Sequence, residues 1–182
     1  MNKVRRMVLL SLLVAMASAV HYIEGLVPVL ISGLPGVKLG LANVFSLFAL
    51  VSLGAGDAFI VVVLRCLLTS VVWGQAVSLA YSLAGGLLST LVMWIFYRYL
   101  KERLSLYGIS AAGAFFHNVG QLFVAALILQ SGYVFGYLPV MTAVAVPTGL
   151  FVGMLTQMVK RAVDMTGILR ETGNGGKNER KP

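Results

Sequence analysis

The sequence predicts an all-α membrane protein, a bundle of six transmembrane helices with both termini in the cytoplasm. Three observations carry this. First, apolar residues make up 59% of the 182 positions and charged residues only 11%, against roughly 25% charged in an ordinary soluble domain. A disordered chain would need low hydrophobicity and high charge. A soluble domain this short has too little interior to hide so much apolar surface. Second, apolar runs recur at the length of a bilayer core, which takes about 20 helical residues at roughly 1.5 Å rise each. Third, the basic residues gather between alternate runs. The single cysteine, Cys66, excludes a disulfide framework and a multi-cysteine zinc site.

The spans fall near 7–27, 38–53, 57–73, 76–98, 109–130 and 137–159, within one integral membrane domain over 1–170. Pro28, Gly33, Pro35 and Gly36 separate the first two. Gly54 to Asp57 reads as a tight turn, with Asp57 as N-cap of span three. Gly74 and Gln75 part spans three and four, the run Arg98 to Arg103 ends span four, and Gly132 to Pro139 joins five to six. Residues 171–182 are polar and Gly-rich, the composition of a disordered cytoplasmic tail. Basic residues, an apolar run and Ala17-Ser18-Ala19 have the outline of a signal peptide, but the run continues to Ile31 and reads as a span instead.

Orientation follows from charge. Lys3, Arg5 and Arg6 precede span one, Arg98, Lys101 and Arg103 follow span four, and the remaining basic residues from Lys160 on follow span six. With six spans they share one side, the cytoplasmic side of a prokaryotic plasma membrane. The opposite loops hold Glu24 and Lys38. The net charge of +8 is therefore topological and no argument for nucleic acid.

Polar side chains inside hydrocarbon each need a reason. Arg65 sits near the middle of span three. Either it holds an anionic ligand, or pairs with an acid near one, or it satisfies backbone carbonyls or a structural partner; an intramembrane charge favours function. His117, Asn118 and Gln121 share a face of span five through i,i+3 and i,i+4 spacing. That face either binds a polar ligand or glues helices together. His21, Glu24, Lys38 and Asn43 lie toward the outer surface. Glu24 and Lys38 read as a rim ion pair, although Lys38 also flanks the Gly/Pro-rich loop above the polar set and suits ligand contact. Small residues form stripes at Ser11, Ala15 and Ala19, at Ser82, Gly86 and Ser89, and at Gly149 and Gly153. Close packing is the default explanation; the stripe on span one also suits docking of another membrane subunit.

Several chemistries lack their residues. No G-x-x-x-x-G-K-[ST] loop occurs. Asp57 and Asp164 are the only aspartates, so no Asp-rich cluster holds magnesium for diphosphate chemistry. His21 and His117 alone make no metal site. The expectation is a non-enzyme without metal or cofactor.

Four segments together resemble one family. They are Gly36-Val-Lys-Leu-Gly-Leu-Ala-Asn43, Leu64-Arg65, Ser82-Leu-Ala-Gly-Gly86, and Gly108 through His117-Asn118-Val-Gly-Gln121. They resemble the Gx transporter family, also labelled heptaprenyl diphosphate synthase component I, over roughly residues 7 to 160. That family is similar to the S components of energy-coupling factor transporters. The resemblance implies six helices, an outward-facing nutrient site, a membrane coupling subunit and an ATPase pair. It implies that Ala15 and Ala19 match the partner-docking surface. It also implies Lys38, Asn43, Arg65, His117, Asn118 and Gln121 as the ligand set, with a flavin, prenyl or quinone precursor among the candidate ligands. The function expected is capture of a small anionic nutrient. The alternative is a non-catalytic accessory of prenyl-diphosphate or quinone synthesis, or of flavin-linked electron transfer. A membrane enzyme using His117 as acid and base ranks last.

Overall fold

The computed structural model describes residues 3–26, 40–73 and 76–166. These form helices α1 (Lys3–Leu26), α2 (Asn43–Ser52), α3 (Ala55–Trp73), α4 (Ala76–Leu100), α5 (Leu106–Leu129) and α6 (Leu138–Met165), with a 3₁₀ turn at Gly132–Tyr137. Lys38, Gln75, most of the loop between the first two helices and the tail over 171–182 lie outside the described residues. Five stretches are long and apolar enough to cross a membrane: α1, α3, α4, α5, and the 3₁₀ turn continuous with α6.

The second predicted span is corrected. Instead of a helix over 38–53, α2 covers ten residues, about 15 Å of rise against a core of roughly 30 Å. It begins below a turn at Gly40, whose φ of +84° favours glycine. Its other end closes where the N–H groups of Leu53 and Gly54 both donate to Ala49 O, at 2.8 and 2.9 Å. Gly54 there takes φ +113° and turns the chain. Because α3 starts immediately after it, Asp57 lies inside the first turn of α3 and is not its N-cap. Its carboxylate accepts from Arg6 of α1, with Nε–H 3.0 Å from Oδ2.

The other ends follow their local chemistry. Ser105 caps α5 in extended conformation, its Oγ accepting from Gly108 N–H at 3.3 Å. At the far end Gln130 turns left-handed. Pro139 falls in the first turn of α6, where its missing N–H costs nothing.

The exterior is apolar and the interior holds both apolar and polar side chains. Large apolar side chains such as Leu12, Leu68, Val71, Leu127 and Phe151 are exposed, whereas Arg65, Ser89, Thr90 and Gln121 are fully buried. Such contiguous apolar exterior suits lipid rather than water. One apolar cluster joins Leu13, Ala17, Leu50, Val61, Met93 and Ile109. It gathers the first half of α1 and α3 with the second half of α4 and the start of α5, so the basic termini of α1, α4 and α6 share that end. A second cluster at the other end holds Tyr81, Leu122, Ala125, Val134 and Met141. Between the two, in order along α3, α4 and α5, come the polar residues.

Close approaches set these helices. A Cβ on Gly120 would stand 2.7 Å from Ala84 O and 2.9 Å from Gly85 Cα, so α5 crosses α4 backbone to backbone. Gly149 and Gly153 of α6 lie as tightly on Ala111 and Tyr107 of α5, as their spacing predicts. Gly120→Ala should therefore cost about 1–3 kcal/mol through overpacking. Gly56→Ala, on a helical site with open space around it, should be neutral or stabilising by up to about 1 kcal/mol. Thermal unfolding in detergent measures both, and equal melting temperatures for the two variants would refute the crossing.

Candidate functional site

The site is built on Arg65, 1% exposed in mid-α3. Its Nη2 donates to Asn43 Oδ1 at 2.7 Å. Nε and Nη1 are buried with no partner. Asn43 is the first residue of α2, so the short second helix delivers it to mid-bundle depth. The Asn43 Nδ2 end faces Ser89 Oγ and His117 Nδ1, each at 3.4 Å. His117 Nε2 in turn lies 2.9 Å from the Gln121 amide. Arg65, Asn43, Ser89, His117 and Gln121 thus form one connected layer contributed by α2, α3, α4 and α5.

Small residues leave the room for it. A Cβ on Gly86 would stand 3.3 Å from Arg65 Nη2, and one on Gly85 would stand 3.0 Å from His117 Cε1. Gly40 closes the other side, its missing Cβ 3.0 Å from Asn43 Nδ2 and 3.3 Å from His117 Cδ2.

Beside this layer, α1 is tied in by two contacts. His21 Nε2 and Ser82 Oγ lie 3.2 Å apart. Glu24 is buried at 6% exposure, and its carboxylate accepts from Leu41 N–H at 2.5 Å, with Ala42 N–H at 3.5 Å. These are orphan donors leading into α2, and a carboxylate there also meets the positive end of the helix. Glu24 is thus a buried cap supplied by another helix, and its expected pairing with Lys38 lies outside the described residues.

Of the expected ligand set, the fold brings Asn43, Arg65, His117 and Gln121 together. Asn118 turns to α6 instead, donating from Nδ2 to Met141 O at 3.1 Å. One helical step, about 100°, separates it from His117, enough to send it to a different neighbour. Lys38 lies outside the described residues. Sequence reasoning missed Ser82, Gly86 and Ser89 as walls of the site; their stripe was visible but reads as packing. The stripe on α1 behaves in the opposite way. Ser11, Ala15 and Ala19 are exposed while Leu13, Val14 and Ala17 face the bundle. Packing among the described residues does not explain those three. Among the described residues no three His, Cys, Asp or Glu residues come together to hold a metal ion.

A helical bundle with an apolar exterior and a buried polar layer around one cation defines a membrane protein with a candidate internal binding site. More particularly, the chain belongs to the family described as heptaprenyl diphosphate synthase component I, whose model matches residues 13–159. Searches of curated proteins and of solved structures each returned no match.

Two outcomes test this geometry. Glu24→Ala should destabilise by about 1–3 kcal/mol, since buried N–H groups lose their acceptor, and Glu24→Gln should recover part of that. Arg65→Met should melt no lower than the parent, because it removes a buried charge that lacks a counterion. A large fall in melting temperature for Arg65→Met would show that the guanidinium is structurally compensated.

Proposed function

We propose that this chain is the substrate-binding membrane subunit of an energy-coupling factor type transporter, capturing a small anionic nutrient or cofactor precursor from the outer side. One observation carries the reading: Arg65 is buried in the middle of the bundle with two guanidinium nitrogens unpartnered. A charge kept at that depth without a counterion destabilises the empty protein, so its retention argues for a ligand. Arg65 and Lys38 attract the anion, and Asn43, His117, Asn118 and Gln121 supply directional hydrogen bonds. In this reading the chain makes six passes of a prokaryotic plasma membrane, with both termini cytoplasmic. The short α2 forms the inner half of the second pass. The chain itself is not an enzyme; energy comes from an ATPase pair through a coupling subunit that docks on the exposed Ala15 and Ala19 face of α1.

The family's description favours a second reading, a non-catalytic membrane accessory of prenyl-diphosphate or quinone synthesis. Flavin-linked electron transfer remains a variant of it. Co-purification separates the two. An ATPase pair with its membrane subunit supports capture, and a soluble prenyl synthase supports the accessory role. In the capture reading, Ala15→Leu with Ala19→Leu should abolish recovery of the coupling subunit and leave the molecules retained on the purified protein unchanged. Arg65→Met should have the reverse effect. Mass spectrometry of the retained molecules reads both, and retention undiminished in Arg65→Met would remove Arg65 from the site.

A further inference from the structure

The polar layer continues toward the end away from the basic termini. A Cβ on Gly86 of α4 would stand 2.8 Å from Val62 Cγ1 and 3.3 Å from Arg65 Nη2 of α3, which fixes how the two helices meet. They run antiparallel, so one turn outward Ser82 comes level with Arg65 and Cys66. A second turn brings Ser78 level with Thr69. Ser78, Ser82 and Thr69 are all buried, and their spacing puts them on the faces that carry Gly86 and Arg65. Inward of the layer the same two helices bury Ala58, Val61, Val62 and Met93, with Thr90 as the single hydroxyl buried there among the described residues. Alanine would serve close packing as well, so a hydroxyl at each outward turn needs a reason in hydrocarbon.

Helix α1 closes this seam. His21 is buried, and its Nε2 lies 3.2 Å from Ser82 Oγ. α1 and α4 share little other packing, so this contact is a strap across an interval and not part of a helix interface. At the foot of the row sits the Arg65 guanidinium, with Nε and Nη1 buried and unpartnered. The polar row therefore ends on a buried charge that can still take a partner. Hydroxyl and imidazole walls suit a solute that arrives from water. An isoprenoid tail would lie against them without offering a hydrogen bond.

We propose that the seam between α1, α3 and α4 is the route by which a ligand reaches Arg65 from the outer aqueous phase, and that the His21–Ser82 contact closes it. The route rests on the capture reading above; the access of outer water to the seam does not. Ser78, Ser82 and Thr69 line the path, and His21 controls passage to the layer beyond. The ligand class that follows is a water-borne anion, not a lipid entering sideways from the bilayer.

The test uses full-length protein in right-side-out membrane vesicles, with single cysteine substitutions in a Cys66→Ala background. The probe is 2-sulfonatoethyl methanethiosulfonate, an anion that does not cross membranes, added outside. Ser78→Cys and Ser82→Cys should react at least about tenfold faster than Val77→Cys and Leu68→Cys on the apolar exterior, because a thiol in hydrocarbon stays un-ionised. Ser89→Cys, beyond the strap, should react slowly. Adding His21→Ala should speed it by roughly five- to tenfold, the effect of one lost hydrogen bond, and His21→Gln should speed it less. Thr90→Cys, inward of the layer, should not change with His21→Ala. Equal rates at seam and exterior positions, or reaction of the seam only in inside-out vesicles, overturn the route. No gain at Ser89→Cys, or an equal gain at Thr90→Cys, overturns the strap. Charge scores the capture reading separately: Ser89→Cys should prefer the anionic reagent to its trimethylammonium analogue, and Arg65→Met should remove that preference. If the seam reacts and Arg65→Met changes nothing, the route for water stands and anion capture falls. If the seam is unreactive and Arg65→Met still loses the retained molecules, capture stands and the route falls.

Discussion

The bond from Arg65 to Asn43 sets how the polar interior is arranged, and it exists because α2 starts inside the bundle. A continuous second span would carry Asn43 on its flank. A ten-residue helix instead places it at the helix start, beside a turn whose backbone must be satisfied without water. Glu24 from α1 does this. The result is a chain of dependence: Glu24 supports the turn, the turn places Asn43, and Asn43 orients Arg65 against His117. Gly40, Gly85 and Gly86 are the absences of side chain that let these groups approach.

Much of this architecture was legible. Five of the six helices follow from apolar runs between Gly, Pro and basic breakers, because hydrocarbon thickness dictates span length. Arg65 stood out for the same reason, as a charge where none belongs. The interruption before α2 was not legible. Leu39, Leu41 and Ala42 are apolar and continue the pattern, while the turn depends on Gly40 and on an acceptor from another helix, which periodicity does not report. Asn118 faces a different neighbour from His117 for a related reason. Sequence spacing groups residues within about 100° of one another, but here the gap between α4 and α6 falls inside that arc. The small-residue stripes share one sequence signature and have three outcomes: packing at Gly149 and Gly153, a polar wall at Ser82 to Ser89, and an exposed face at Ala15 and Ala19. Only the neighbours distinguish them.

Electrostatics connects the fold to the family description. Diphosphate chemistry requires carboxylates to hold a metal, and the described carboxylates are spent on a backbone turn and an ion pair or lie exposed. What the interior offers is one guanidinium with amide and imidazole support. That is the equipment the proposed anion capture calls for.

The two unpartnered nitrogens of Arg65 also bear on the lifetime of the protein. On the capture reading, an occupant that neutralises the guanidinium binds only the folded bundle, and so stabilises it by RT ln(1 + [L]/Kd). At a concentration of about 100 Kd this amounts to roughly 2.7 kcal/mol, comparable to a severe core substitution. The empty chain opens more often and meets membrane proteases more often. Its abundance would then follow the supply of its ligand without any regulator of its synthesis, and on that reading the buried arginine would serve quality control as well as recognition.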